Sequence, residues 1–127
     1  MNIKDIKRKH IECMVVYCYE ILGPSKYYTT LPYVKINYSK KKNYFMGEYD
    51  WDDNIIIINL SSHSSLIELC STVIHEYVHH TQNSAMYHKI DNKVDYDDNP
   101  YEKKANLIAE ELKWDCRRYI IKTSVRG

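Results

Sequence analysis

The chain has no excess of either charge, no long apolar run and no paired cysteines, and each absence narrows what it can be. Eighteen Lys and Arg stand against seventeen Asp and Glu, so no strong net field draws in nucleic acid or an anionic membrane. Short basic clusters at Lys7-Arg8-Lys9-His10, Lys40-Lys41-Lys42 and Arg117-Arg118 read as solvated faces or turns. No apolar stretch approaches the roughly 20 residues that span a bilayer. No basic n-region followed by an apolar h-region opens the chain. Cys13, Cys18, Cys70 and Cys116 form no C-x-x-C pair. A reduced, cytoplasmic setting is therefore expected, with buried free thiols rather than disulfides or metal ligands. Phenylalanine occurs once beside thirteen tyrosines. With abundant Ile, Asn and Lys, that bias suits an AT-rich genome of the phage, viral or low-GC bacterial kind, and for a phage or virus the cytoplasm would be the host's.

What remains is enough chain, 127 residues, to bury a core without staples. One domain over 1–127 is expected, with no repeat or linker. From Asn2 to Leu22 the apolar residues Ile3, Ile6, Cys13, Met14, Tyr17 and Ile21 follow a helical period that Gly23-Pro24 ends. Val34, Ile36 and Tyr38 alternate with polar neighbours, and after a turn over Lys40 to Asn43 the stretch Tyr44 to Trp51 reads as a second strand, pairing with the first as a hairpin. Asp52-Asp53-Asn54 signals another turn, and Ile55-Ile56-Ile57-Ile58 is a short, β-branched third strand. Ser65 and Glu68 have capping-box spacing ahead of a buried helix running to about Gln82. Asn99-Pro100-Tyr101-Glu102 opens a last helix that carries Ala105, Ile108, Ala109, Leu112, Cys116 and Tyr119 on one face. Asn83 to Asp98 is a long polar connection, a length associated with function. The fold class is α+β: an N-terminal helix, a three- to four-stranded, mainly antiparallel sheet, then two helices.

The chemistry lies in His75-Glu76-Tyr77-Val78-His79, an H-E-x-x-H motif within an expected helix. Composition alone yields such a motif in roughly 2% of shuffled chains, before its helical placement is counted. Two histidines four apart share a helical face, so both ring nitrogens can reach one tetrahedral ion at about 2.0–2.1 Å, and zinc suits that donor set. Glu76 stands beside the ion, where it can take a proton from an activated water and return it to a leaving amine. His80 points around the helix from the pair and reads as structural or solvent-facing. A catalytic zinc needs a third protein ligand. Gln82 and Ala85 occupy the Gly and His positions of the metzincin continuation, which excludes that class. Glu102, on the next helix, is a candidate, with Asn106 one turn later able to accept a hydrogen bond from a ligand imidazole. Spacing alone leaves Glu102 equally able to be the N3 carboxylate of a capping box with Asn99. His88 and the aspartates 91, 95, 97 and 98 stay in reserve as ligands.

Pro100-Tyr101-Glu102-Lys103-Lys104-Ala105-Asn106, followed by Ile108-Ala109-Glu110-Glu111-Leu112, resembles the third-ligand helix of gluzincin-type peptidases. It is similar to the E-x-x-A-N-x-x-A pattern of ImmA/IrrE-type and related small phage and mobile-element peptidases, with Val78 where ImmA/IrrE proteins often have Gly. The resemblance covers Ile55 to Leu112. It implies a zincin-like fold, one Zn2+ per chain held by His75, His79 and Glu102, Glu76 as general base and Asn106 behind a ligand. It also implies a protein or peptide substrate laid along an edge strand, which the order of elements would make Ile55 to Leu60. Tyr87, His88 and Tyr96 are candidate oxyanion donors in the long connection. The reading is a zinc metallopeptidase, an endopeptidase, that needs neither nucleic acid nor membrane. The alternative is a catalytically inactive, zinc-stabilised protein-interaction module, which would gain nothing from a free carboxylate at position 76.

Overall fold

The computed structural model describes residues 1–42 and 44–126, so the turn expected over Lys40 to Asn43 ends at a residue outside those described. A short 3₁₀ turn, Ile3–Asp5, leads into α1, Arg8–Leu22. Gly23 ends α1 with φ 84°, a left-handed conformation that other residues rarely adopt, and its N–H returns to the Tyr19 carbonyl at 2.9 Å. Three strands follow: β1, Tyr33–Asn37; β2, Gly47–Asp50; and β3, Ile55–Asn59. Then come α2, Leu66–His80; α3, Ser84–Asp91; and α4, Pro100–Arg126. This is the α+β order expected, with the H-E-x-x-H residues on one helix and Glu102 on the last long one. Within the connection from Asn83 to Asp98, α3 and a 3₁₀ turn, Tyr96–Asp98, add structure that its polar sequence did not announce.

The sheet is mixed, in the order β1-β3-β2. The expected β1–β2 hairpin does not form. β3 lies between them, parallel to β1 with Val34 opposite Ile56, and antiparallel to β2 with Tyr49 opposite Ile56. The hairpin is β2–β3, closed by the tight turn at Asp52-Asp53-Asn54. Asp50 Oδ1 accepts from the Asp52 and Asp53 amides at 2.9 and 3.3 Å, and Asn54 takes φ 54°. Buried Asn59 ties the chain leaving β1 to the end of β3, accepting from the Ser39 amide at 2.9 Å and donating to the Ser39 carbonyl at 3.0 Å. The isoleucine run therefore occupies the central strand, where Ile56 and Ile58 are fully buried.

α2 packs on β2 and β3, with α4 and α1 against its other sides. Tyr17, Tyr77, Met14, Ile74, Leu69 and Ile120 fill the space between them. Tyr77 keeps its hydroxyl satisfied by donating to the Gly23 carbonyl at 2.7 Å, and Tyr17 donates to Asp115 at 2.7 Å. Cys18, Cys70 and Cys116 are buried free thiols, as expected, and Cys13 is half-buried. Among the described residues no helix is long and apolar enough to cross a membrane.

Candidate metal centre

Ser65 caps α2 through its hydroxyl, which accepts from the Glu68 amide at 3.2 Å, while the Glu68 carboxylate accepts from the Ser64 amide at 2.9 Å. That fixed start places His75, Glu76, His79 and His80 in the last turns of the helix, at its electronegative end. Asn99 immediately precedes α4, and its side chain accepts from the Tyr101 amide at 2.9 Å. Glu102 thus sits in the first turn, where the helix dipole favours a carboxylate. Its carboxylate faces the histidines: Oε1 lies 2.8 Å from His75 Nε2 and 2.9 Å from His79 Nε2, which are themselves 3.1 Å apart. The other oxygen accepts a hydrogen bond from Tyr87, delivered by α3, at 2.5 Å.

These three atoms form a nearly equilateral triangle 2.8–3.1 Å on a side. Donors held at about 2.0–2.1 Å by a tetrahedral ion stand about 3.3–3.4 Å apart, so the triangle is a slightly contracted face of that polyhedron. Protonation chemistry agrees. Gln82 donates its amide N–H to the Tyr101 carbonyl at 3.0 Å, which turns its Oε1 toward His79 Nδ1 at 2.7 Å. An oxygen there accepts, so Nδ1 carries the proton and Nε2 keeps a lone pair directed at Glu102. Two lone pairs 2.9 Å apart repel unless a proton or a cation lies between them. The donor set fits a divalent ion of the zinc type.

Glu76 is only 6% exposed, yet its carboxylate enters none of the side-chain hydrogen bonds or ion pairs around the triangle. One ligand atom each from His75, Glu76 and His79 lie within 4.8 Å of one another. Burial pushes the Glu76 carboxyl up to about 7; the His75 ring opposes that shift, and the Glu102 and Glu48 carboxylates add to it. Burial also acts to raise Glu102, but the His75 and His79 imidazoles and the Tyr87 hydroxyl that face it outweigh burial and hold this carboxyl below the usual range. The two carboxyls are thus driven apart, one poised near neutrality and one fixed as an anion.

His80, next in the chain, is wired differently. Its Nδ1 meets Asn54 Oδ1 at 2.9 Å and the Tyr49 hydroxyl at 3.1 Å, and its ring stacks on Tyr28 at 5.2 Å. It is a core histidine whose pKa burial lowers to about 4.

A groove opens beside Glu76 along β2, in two adjoining cavities of about 250 and 360 Å³ that share Gly47, Glu76 and Tyr96. Gly47 permits this approach of strand to helix, because a Cβ there would lie 2.5 Å from Thr72 Cγ2 and 3.4 Å from Glu76 Oε2. The sheet order corrects the expectation for Ile55 to Leu60: Ile55 to Ile58 are paired on both sides and unable to receive a peptide, Leu60 lies beyond β3 in a 3₁₀ turn, and β2 is the edge strand that lines the groove. Trp51 roofs the metal side. Its indole N–H donates to the His79 carbonyl at 3.1 Å, and its ring packs 4.7 Å from Tyr87 and 5.1 Å from His88.

Asn106 is exposed on the groove wall beside His75 and Glu76, and the described hydrogen bonds to the ligand imidazoles do not include it. Gln82 holds His79 instead. His88 is exposed and packs edge-on to Trp51, while Asp95, Asp97 and Asp98 are exposed. Tyr96 is 55% exposed and lines both cavities. Sequence reasoning missed Gln82, Trp51, Gly47 and the bond from Tyr87. Only the three-residue offset of Gln82 from His79 carried a usable signal. Comparisons with protein-family models, with curated proteins and with solved structures found no match for this chain.

Proposed function

We propose that residues 1–127 act as one zinc-dependent peptidase domain, in which His75, His79 and Glu102 hold a single Zn2+ and Glu76 is the general base. The observation that carries this reading is the convergence of three donor atoms from two helices beside a nearly buried carboxylate, Glu76, that has no partner among the described side-chain hydrogen bonds. A bound zinc would supply Lewis acidity, lowering the pKa of a water and polarising a peptide carbonyl. The chain's own residues supply the rest. Gln82 and Tyr87 fix the tautomer of His79 and the orientation of Glu102. Glu76, poised by burial, accepts a proton and returns it to the departing amine. The free edge of β2 offers backbone groups to an extended peptide, which suits internal cleavage of a protein or peptide. Tyr96, which lines both cavities, is the candidate donor to the developing oxyanion. The likeness to small phage and mobile-element peptidases favours action in a reduced cytoplasm.

Glu76 is held at 6% exposure where only the groove reaches it, and desolvating a carboxylate to that degree is costly. A purely structural zinc site would have no use for it. The test is elemental analysis beside peptide hydrolysis. Wild type should carry near one zinc per chain, lost from His79→Ala and Glu102→Gln. Glu76→Gln should keep its zinc and lose turnover by at least about a hundredfold, the scale of a general base. An active Glu76→Gln protein would sink the mechanism, and wild type that takes up no zinc would sink the whole reading.

A further inference from the structure

The cations of this chain are segregated from the groove. From residue 43 to residue 88 there is no Lys or Arg, while Glu48, Asp50, Asp52, Asp53, Glu68 and Glu76 all fall within that span. Neither groove cavity is lined by a Lys or an Arg. Of those carboxylates only Glu48 and Glu76 line the cavities, joined there by Glu102, so the lining of the cleft carries formal negative charge and no Lys or Arg.

The two cavities also differ. The smaller is lined by the aromatic rings of Trp51, Tyr87 and His88, by Glu48, and by His79 and Glu102 of the triangle. The larger is bounded by Phe45, Met46, Ser71 and Thr72 and carries no carboxylate besides the shared Glu76. Glu48 is exposed and takes part in none of the ion pairs among the described residues. Aromatic faces beside an unpaired carboxylate form the chemistry that recognises a cation on a flexible stem.

Resting on the peptidase reading, we propose that the Trp51–Tyr87–Glu48 cavity is a specificity pocket for an Arg or Lys side chain flanking the scissile bond. The Phe45–Met46 cavity takes an uncharged side chain on the other flank. Trp51 and Tyr87 receive the stem and the cationic face, and Glu48 pairs with the charge.

The test uses the zinc-loaded full chain and a library of capped peptides that differ at single positions in Arg, Leu or Glu. Cleavage is read as kcat/KM. Binding is read on Glu76→Gln protein by Trp51 fluorescence, with the exposed Trp114 changed to Phe. Arg should exceed Leu by about tenfold at one flanking position, mainly through KM, as one partly exposed charge pair plus one cation–π contact allow. Glu should fall below Leu. The Arg advantage should shrink toward unity in Glu48→Gln and weaken as salt rises. Equal binding of the Arg, Leu and Glu peptides, or an Arg advantage unchanged in Glu48→Gln, overturns the proposal whether or not cleavage occurs. Selective binding without any cleavage in wild type would keep the pocket and sink the peptidase reading alone.

Discussion

The interface between α2 and α4 buries metal-capable side chains at both of its ends, and treats them in opposite ways. At one end His75 and His79 meet Glu102. At the other, Cys70 on α2 and Cys116 on α4 meet beside Cys18 of α1. Burial raises the Cys18 thiol, and contact with Cys70 together with burial raises Cys116, so these groups stay protonated and inert. Burial acts on Glu102 in the same sense, yet the two imidazoles and the Tyr87 hydroxyl facing it reverse the shift. Seclusion alone therefore does not make a ligand. An anion survives in the interior only where donors have been arranged for it, and those donors are what mark one end as chemical and the other as structural.

The largest effect expected from that contrast is on stability with and without metal. Free zinc at a thousand times its dissociation constant should stabilise the native state by about 4 kcal/mol. Urea unfolding with zinc and with chelator measures the difference. Glu102→Gln should lose most of it, and a gain equal to that of wild type would place the ion elsewhere.

Acid should separate a second pair of sites. His80 and His63 are buried, hydrogen-bonded histidines outside the triangle, and burial lowers both pKa values, His80 to about 4. A folded pKa below the unfolded value of about 6.5 means that the contribution is whole above pH 6.5 and is lost as pH falls toward 4. Melting temperatures of the metal-free protein should decline through that window, and His80→Gln should flatten the decline. A profile unchanged by the substitution would remove His80 from the account.

Much of this contrast was legible in the chain before folding, and the reasons are local. The i, i+4 spacing of His75 and His79, the Ser65 cap and the Asn99-Pro100 start are properties of helices, whose geometry sequence states directly. Strand pairing is not local. The Ile55–Ile58 run looked like a third strand and was one, but nothing in its composition said that it would lie between the other two. That arrangement rests on the Asp50 turn and on Asn59 reaching back to Ser39. The groove was illegible for the same reason, since Gly47, Trp51 and Tyr87 come together only through sheet order and the placement of α3. Glu102 shows the limit from the other side. Its sequence position suits a cap or a ligand equally, and only the packing of α2 against α4 turns its carboxylate toward the imidazoles.

At the thiol end, Cys116→Ser replaces a weakly polar group with a hydroxyl in a fully buried site. It should destabilise the protein by about 1–3 kcal/mol. Zinc affinity should not change, because the thiols lie outside the donor set. Unfolding and zinc titration on the same variant separate the two readouts, and a loss of zinc would mean that the ends are not independent.

The smallest and sharpest test concerns which residue holds His79. Gln82 is fixed on both sides, donating to the Tyr101 carbonyl and accepting from His79 Nδ1. Outer partners of this kind are worth about 10- to 100-fold in metal affinity. Gln82→Ala should therefore weaken zinc by at least about tenfold, the lower end of that range. Asn106 is exposed and absent from the described bonds to that ring, so Asn106→Ala should change affinity by less than about twofold, as surface substitutions away from a hydrogen-bond network do. Competition with a chelator of known affinity measures both variants. The opposite ranking would mean that Asn106 swings in behind a ligand imidazole once metal is bound and that Gln82 is only a link between helices.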